Sequence, residues 1–237
     1  LDGGGRLDRL ELDAADAEFR KPGASVVARA SAMRTLQLRG HALVAMGRVD
    51  EARAAMEQST RDGDELLAQH SDVQKVRDYA FSAWNEYGLL LMRYFTPDNQ
   101  GNPEAEAALK RATEVGEEMV EEHPEDPTPK YLLATTRNNY AGALRRGGRF
   151  EEAREVYEKA LADVEDLTVR FPSALKYKLE LATVLNQIGL SHDFEERDQL
   201  AEPYYERTDE LVEQLRGAAP REATLGHRRG VACENLG

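Results

Sequence analysis

The chain repeats itself at long range, and the spacing of that repeat limits its fold more than any other feature. QLRG ends at Gly40, NEYG at Gly88, NNYA at Ala141 and NQIG at Gly189, and ENLG opens a fifth copy at Gly237. Successive small anchors are 48, 53, 48 and 48 residues apart. The one long interval holds FTPDNQGNP, a Pro/Gly/Asn-rich stretch whose extra five residues belong in a loop. With that loop allowed for, an alanine lies twelve residues after each anchor (Ala52, Ala105, Ala153, Ala201) and a large apolar side chain sixteen after (Met56, Leu109, Tyr157, Tyr205). Ser71, Pro124, Pro172 and Pro220 stand thirty-one after it, where a helix has to stop. A fixed period of this kind signals stacked supersecondary units.

Each unit reads as two helices, A running through the small anchor and B through the alanine and the large apolar residue, so the fold class is all-α, built of antiparallel helix pairs. Punctuation agrees with this. Gly47 and Gly148 suit left-handed turns after helix A, Asp50 is expected to cap the next helix, and Asn102-Pro103 and Asp126-Pro127 each place a cap before a first-turn proline. Small anchors let two backbones approach while Tyr157 and its equivalents fill the space beside them. The register divides the chain into helix B of a preceding repeat (1–23), repeats at 24–71, 72–124 (with a loop insertion at 97–103), 125–172 and 173–220, and helix A of a following repeat (221–237). Both ends would then expose a face meant for a neighbouring repeat, which leaves end-to-end self-association open.

Composition narrows the function classes. A formal net charge of −13 works against nucleic-acid phosphate and anionic lipid, because the 31 basic residues are spread along the chain. No apolar run approaches the roughly 20 residues of a bilayer crossing, and the start LDGGGRLDRLELD lacks the features of an export signal. A single cysteine, Cys233, leaves no internal disulfide, so a reducing, cytoplasmic setting is expected. The opening Leu1 and the closing ENLG suggest a piece of a longer chain.

The NxxG anchors, GRFEEA, the Tyr/Leu/Met position and the terminal proline resemble the tetratricopeptide repeat. That resemblance implies a right-handed α-solenoid, a superhelix of stacked helix pairs. The 48-residue period exceeds the family's usual ~34, which implies longer helices of about 20 residues, roughly 30 Å each. Segments such as RFPSALKYKLELATVLNQIG are similar to arrays that follow the kinase domain in some bacterial eukaryote-like Ser/Thr kinases, although no Gly-rich phosphate loop, HRD or DFG occurs in this sequence.

In that family helix A lines the inner groove, and the resemblance places groove positions three, two and six residues before the anchor. Three before are Gln37, Asn85, Asn138 and Asn186; two before are Leu38, Glu86, Asn139 and Gln187; six before are Arg34, Ser82, Thr135 and Thr183. The row is largely amide and hydroxyl. It suits a ladder that bonds the backbone of an extended peptide, and equally suits solvated surface or bonding between helices of the repeat. Arg34 is the one basic member, so a clamp for a C-terminal carboxylate is not expected. Arg145, in RRGGR, is placed to reach the groove's edge and an acidic partner.

No catalytic residue, metal site or cofactor is expected. His192, Asp193, Glu195 and Glu196 fall in a turn, where such residues usually face water. The remaining histidines share no short spacing, and Leu109 stands where a calcium loop would need a glutamate. Cys233 falls in register with Leu36, Trp84, Arg137 and Leu185, which makes it buried filler. The acidic doublets of helix B keep an outer face soluble. These observations favour a non-catalytic scaffold for a protein or peptide, the C-terminal or regulatory part of a longer chain. The alternative is a self-assembly or small-ligand sensing module of a bacterial signalling protein.

Overall fold

The computed structural model describes residues 23–96 and 100–218, together with Ala17, Phe19 and Lys21. Among the described residues the chain is all-α: α1 (Val26–Ala45), α2 (Val49–His70), α3 (Gln74–Tyr94), α4 (Pro103–Glu122), α5 (Pro127–Arg146), α6 (Phe150–Arg170), α7 (Leu175–Asp193) and α8 (Asp198–Ala218). The helices are 19 to 22 residues long, as the period requires. The helix expected near the N-terminus, apart from Ala17 and Phe19, lies outside the described residues. So do Pro220, Cys233 and the A helix expected at 221–237.

The chain forms two compact units, Leu1–Val115 and Gly116–Gly237. In the first, α1 packs on α2, α2 on α3, and α1 again on α3. In the second, α5 packs on α6, α6 on α7, α7 on α8, and α5 on α7. Contact between successive A helices, with each B helix lying behind, is the layering of an α-solenoid.

The turns follow from local chemistry. Gly47 and Gly148 both take φ 75, the left-handed conformation that a Cβ disfavours. The amides of Arg48 and Arg149 then bond back to the carbonyls of Leu43 and Leu144 at 2.9 and 3.0 Å, closing the helix ends in Schellman fashion. Asp50 does not cap α2. That helix already starts at Val49, its N-cap residue is Arg48, and Asp50 sits in the first turn, where its charge still meets the helix dipole. Asn102 does cap α4, accepting from the amides of Glu104 and Ala105, while its Nδ2 donates to the Phe95 carbonyl at 3.1 Å and ties the loop's two ends together. Asp126 caps α5 through the Thr128 amide at 2.9 Å, and those bonds hold its carboxyl below the usual range.

The small anchors are where paired helices touch most closely. A Cβ built on Gly40 would lie 2.7 Å from Met56, one on Gly88 2.6 Å from Leu109, and one on Gly189 2.6 Å from Tyr205. Each of these is the large apolar residue sixteen positions on, insertion allowed. Ala52, Ala105, Ala153 and Ala201 are all buried beside them. Gly88→Ala is therefore expected to cost about 1–2 kcal/mol net, because overpacking against the buried Leu109 outweighs the better helix propensity of alanine. Gly40→Ala should cost a similar amount, because the added Cβ meets the Cγ as well as the Cε of buried Met56 at 2.7 Å. Chemical denaturation measures both, and a gain in stability at Gly88 would contradict the close packing.

Charge sorts by layer. Helices α1 and α5 contain no carboxylate. By contrast, α4 carries seven glutamates against Lys110 and Arg111. Within each unit the layers are laced by pairs such as Arg29–Glu65 at 2.5 Å and Lys130–Asp166 at 2.6 Å. Partly exposed pairs of this kind stabilise by at most about 1 kcal/mol each, so the segregation matters more for recognition than for stability.

Candidate functional site

The predicted polar row behaves differently in the two units. In the first, it closes on itself. Gln37 is fully buried; its Nε2 donates to the Tyr79 carbonyl at 2.9 Å and to Ser59 Oγ at 3.4 Å, and its Oε1 accepts from Arg34 at 2.7 Å. Arg34 also reaches Ser82 and Glu86, both at 3.4 Å. Glu86 accepts from Ser82 at 3.0 Å and pairs with His41 at 2.7 Å, which neutralises the cationic side of this face. Asn85 is half-buried alongside. Bonding between helices, one of the readings the sequence left open, accounts for Arg34, Gln37 and Glu86.

In the second unit the register is the same and the chemistry is not. Asn138 stands where Gln37 stands in the first unit, but its side chain is one methylene shorter, and Ala160 occupies the register of Ser59. Asn138 is 9% exposed and its Oδ1 has no hydrogen-bond partner. An unmet buried carbonyl costs about 1–3 kcal/mol, so a group that could bond it would be favoured there. Asn139 on α5 and Asn186 and Gln187 on α7 are half-buried. Thr135 and Thr183 contribute little, because their hydroxyls donate to the carbonyls of Tyr131 and Leu179 on their own helices.

Arg145 marks one end of this face. Its guanidinium lies 4.8 Å from the centroid of Phe194 and donates to Gln187 Oε1 at 3.2 Å, while its Nε is buried without a partner. Arg146 beside it is exposed. At the other end Lys176 places its ammonium 5.1 Å from the Tyr131 ring and 4.8 Å from the Tyr177 ring. Sequence reasoning missed Lys176 and its rings. Tyr131 lies ten residues before Ala141 and Tyr177 twelve before Gly189, so comparison of one repeat with another does not align them.

The SHDFEE turn faces water only in part: Asp193, Phe194 and Glu196 are exposed, and His192 is not. His192 is buried and stacked on Tyr204, with ring centroids 5.8 Å apart. Burial, together with the Arg154 and Arg197 guanidinia, pushes its pKa down and keeps the ring neutral. Glu195 is largely covered and pairs with Arg154. Glu196 takes φ 58, which turns the chain into α8. Among the described residues no group of His, Cys, Asp and Glu could hold a metal ion, and no helix is long and apolar enough to cross a membrane.

Two segments match family models described as Tetratricopeptide repeat: residues 34–61 and residues 133–167. The first lies on α1 and α2 and the second on α5 and α6, so each unit carries one matched helix pair. No curated protein matches the chain. Repeats of this class generally mediate protein–protein interaction, and their all-helical fold is typically non-catalytic.

Proposed function

We propose that the chain is a protein-interaction scaffold, the recognition arm of a longer regulator, which takes a peptide or partner segment on the A-helix face of its second unit. The observation that carries this reading is the contrast between Gln37, whose amide is consumed inside the fold, and Asn138, whose buried carbonyl is left unmet. Asn139, Asn186 and Gln187 supply further half-buried carboxamides in the same register of α5 and α7, which can both donate to and accept from a peptide backbone. The binding set is thus narrower than the row read from the sequence: Asn138, Asn139, Arg145, Asn186 and Gln187, with Arg34, Gln37 and Glu86 serving the fold.

Affinity capture from lysate with wild type and with Asn138→Ala/Asn139→Ala/Asn186→Ala tests it. Because the Asn138 carbonyl already lacks a partner, the variant should keep wild-type helicity and stability. A partner held by wild type and lost by the variant is the expected result. Equal capture by both would mean that the amides are structural.

A further inference from the structure

The cations on the α5–α7 face are held by aromatic rings, not by carboxylates. Lys176 lies over Tyr131 and Tyr177, and Arg145 lies over Phe194. Among the described residues neither forms a salt bridge, nor does Arg146. The other basic residues of α5 are spent elsewhere: Lys130 pairs with Asp166 and Arg137 with Asp163 and Glu117. Acidic charge on or beside the face is itself engaged. Asp193 accepts from the Tyr205 hydroxyl, and Asp126, which feels Lys176, is bonded to Thr128 as the cap of α5. Glu180 is buried. The corresponding face of the first unit is the counter-example, since Arg34 and His41 there meet Glu86. A chain of net charge −13 therefore presents one face whose cations are not tied up in salt bridges, with rings fixing where that charge points.

We propose that this face takes an acidic peptide segment, its side-chain carboxylates meeting Lys176 at one end and Arg145 with Arg146 at the other while the carboxamides between hold its backbone. The inference rests on the groove reading above and names the partner's chemistry. Lys176 and Gln187, the residue Arg145 bonds, are eleven residues apart on α7, a rise of about 16 Å, which five or so residues of extended chain span. The match is to two carboxylates at about that separation. A nucleic acid fits less well: its phosphates call for a continuous basic stripe, and α6 behind this face brings Glu151, Glu152, Glu155 and Glu158. Rings that hold a cation in place also lower the ordering cost when an anion arrives.

Selection of random peptides of about a dozen residues, displayed with both ends blocked, on the immobilised chain tests the inference; the length covers the predicted span with margin. Enriched sequences should carry Asp or Glu at two sites about five residues apart. Their binding should fall about tenfold in Lys176→Gln/Arg145→Gln, weaken as salt rises, and survive in Lys176→Arg/Arg145→Lys better than in the glutamine pair. Enrichment of neutral or basic peptides that are still lost in Asn138→Ala/Asn139→Ala/Asn186→Ala would overturn the acidic partner and leave the groove reading standing. No enrichment over that triple variant would overturn both. Preferential retention of duplex DNA or of phosphatidylserine vesicles over acidic peptides would overturn the assignment to a peptide.

Discussion

Arg137→Leu is expected to destabilise the second unit by about 3 kcal/mol, the low end of what breaking a buried ion pair costs. Arg137 stands four residues before Ala141, in register with Leu36, Trp84 and Leu185, and is the charged member of that set. Its guanidinium side chain is 13% exposed and pairs with Asp163, itself 19% exposed, and with Glu117 at 2.7 Å. Burial pushes the Asp163 carboxyl up, and Arg137 pulls it back. Leucine would leave Asp163 covered and without its main cation. The register also supplies the remedy. Asp163 corresponds to Leu211 in the last pair, where Leu211 packs against the cluster containing Leu185. Arg137→Leu/Asp163→Leu recreates that arrangement and should recover most of the loss. Urea denaturation of the two single variants and the double variant measures the coupling, and a double variant as weak as Arg137→Leu would show that the pair is not a local substitute for an apolar contact.

Tyr157→Ala is expected to cost about 3–5 kcal/mol, the range for truncating a fully buried aromatic ring. Tyr157 is 0% exposed and packs with Ala141, Leu144, Val164, Leu185 and Ile188, so its ring joins α5, α6 and α7 in one core. Tyr157→Phe keeps the ring and its packing and should lose much less than alanine. The difference in denaturation midpoint between the two variants separates packing from the hydroxyl. A loss below about 1 kcal/mol for alanine would contradict the place given to this ring at the centre of the unit.

Much of the fold was legible because the close approaches are made by small residues, and small residues cannot be exchanged freely where a Cβ would collide. Gly40, Gly88 and Gly189 announce their partners at a fixed distance along the chain, and Gly47, Gly148, Asn102 and Asp126 announce the helix ends. Asp50 misled because a Schellman turn already satisfies the end of α1 and starts α2 two residues sooner. The candidate site was legible only by position. Whether an amide on helix A is spent inside or left unmet depends on its length and on the residue behind it, and the contrast of Gln37 with Ser59 against Asn138 with Ala160 becomes meaningful once α1 is seen against α3. Burial of His192 was hidden for a similar reason: Tyr204, which covers it, comes from the next helix. Lys176 was hidden because its rings come from two helices and two registers.

The central claim is that partners meet the A helices of the second unit. Amide hydrogen exchange of the whole chain, alone and saturated with the captured partner, tests it most directly, because binding slows the local opening of the elements it covers. The account predicts slower exchange across α5 and α7 around Asn138, Arg145 and Gln187, with α6 and α8 unchanged. Protection concentrated on α6 and α8, leaving α5 and α7 as they were, would contradict it.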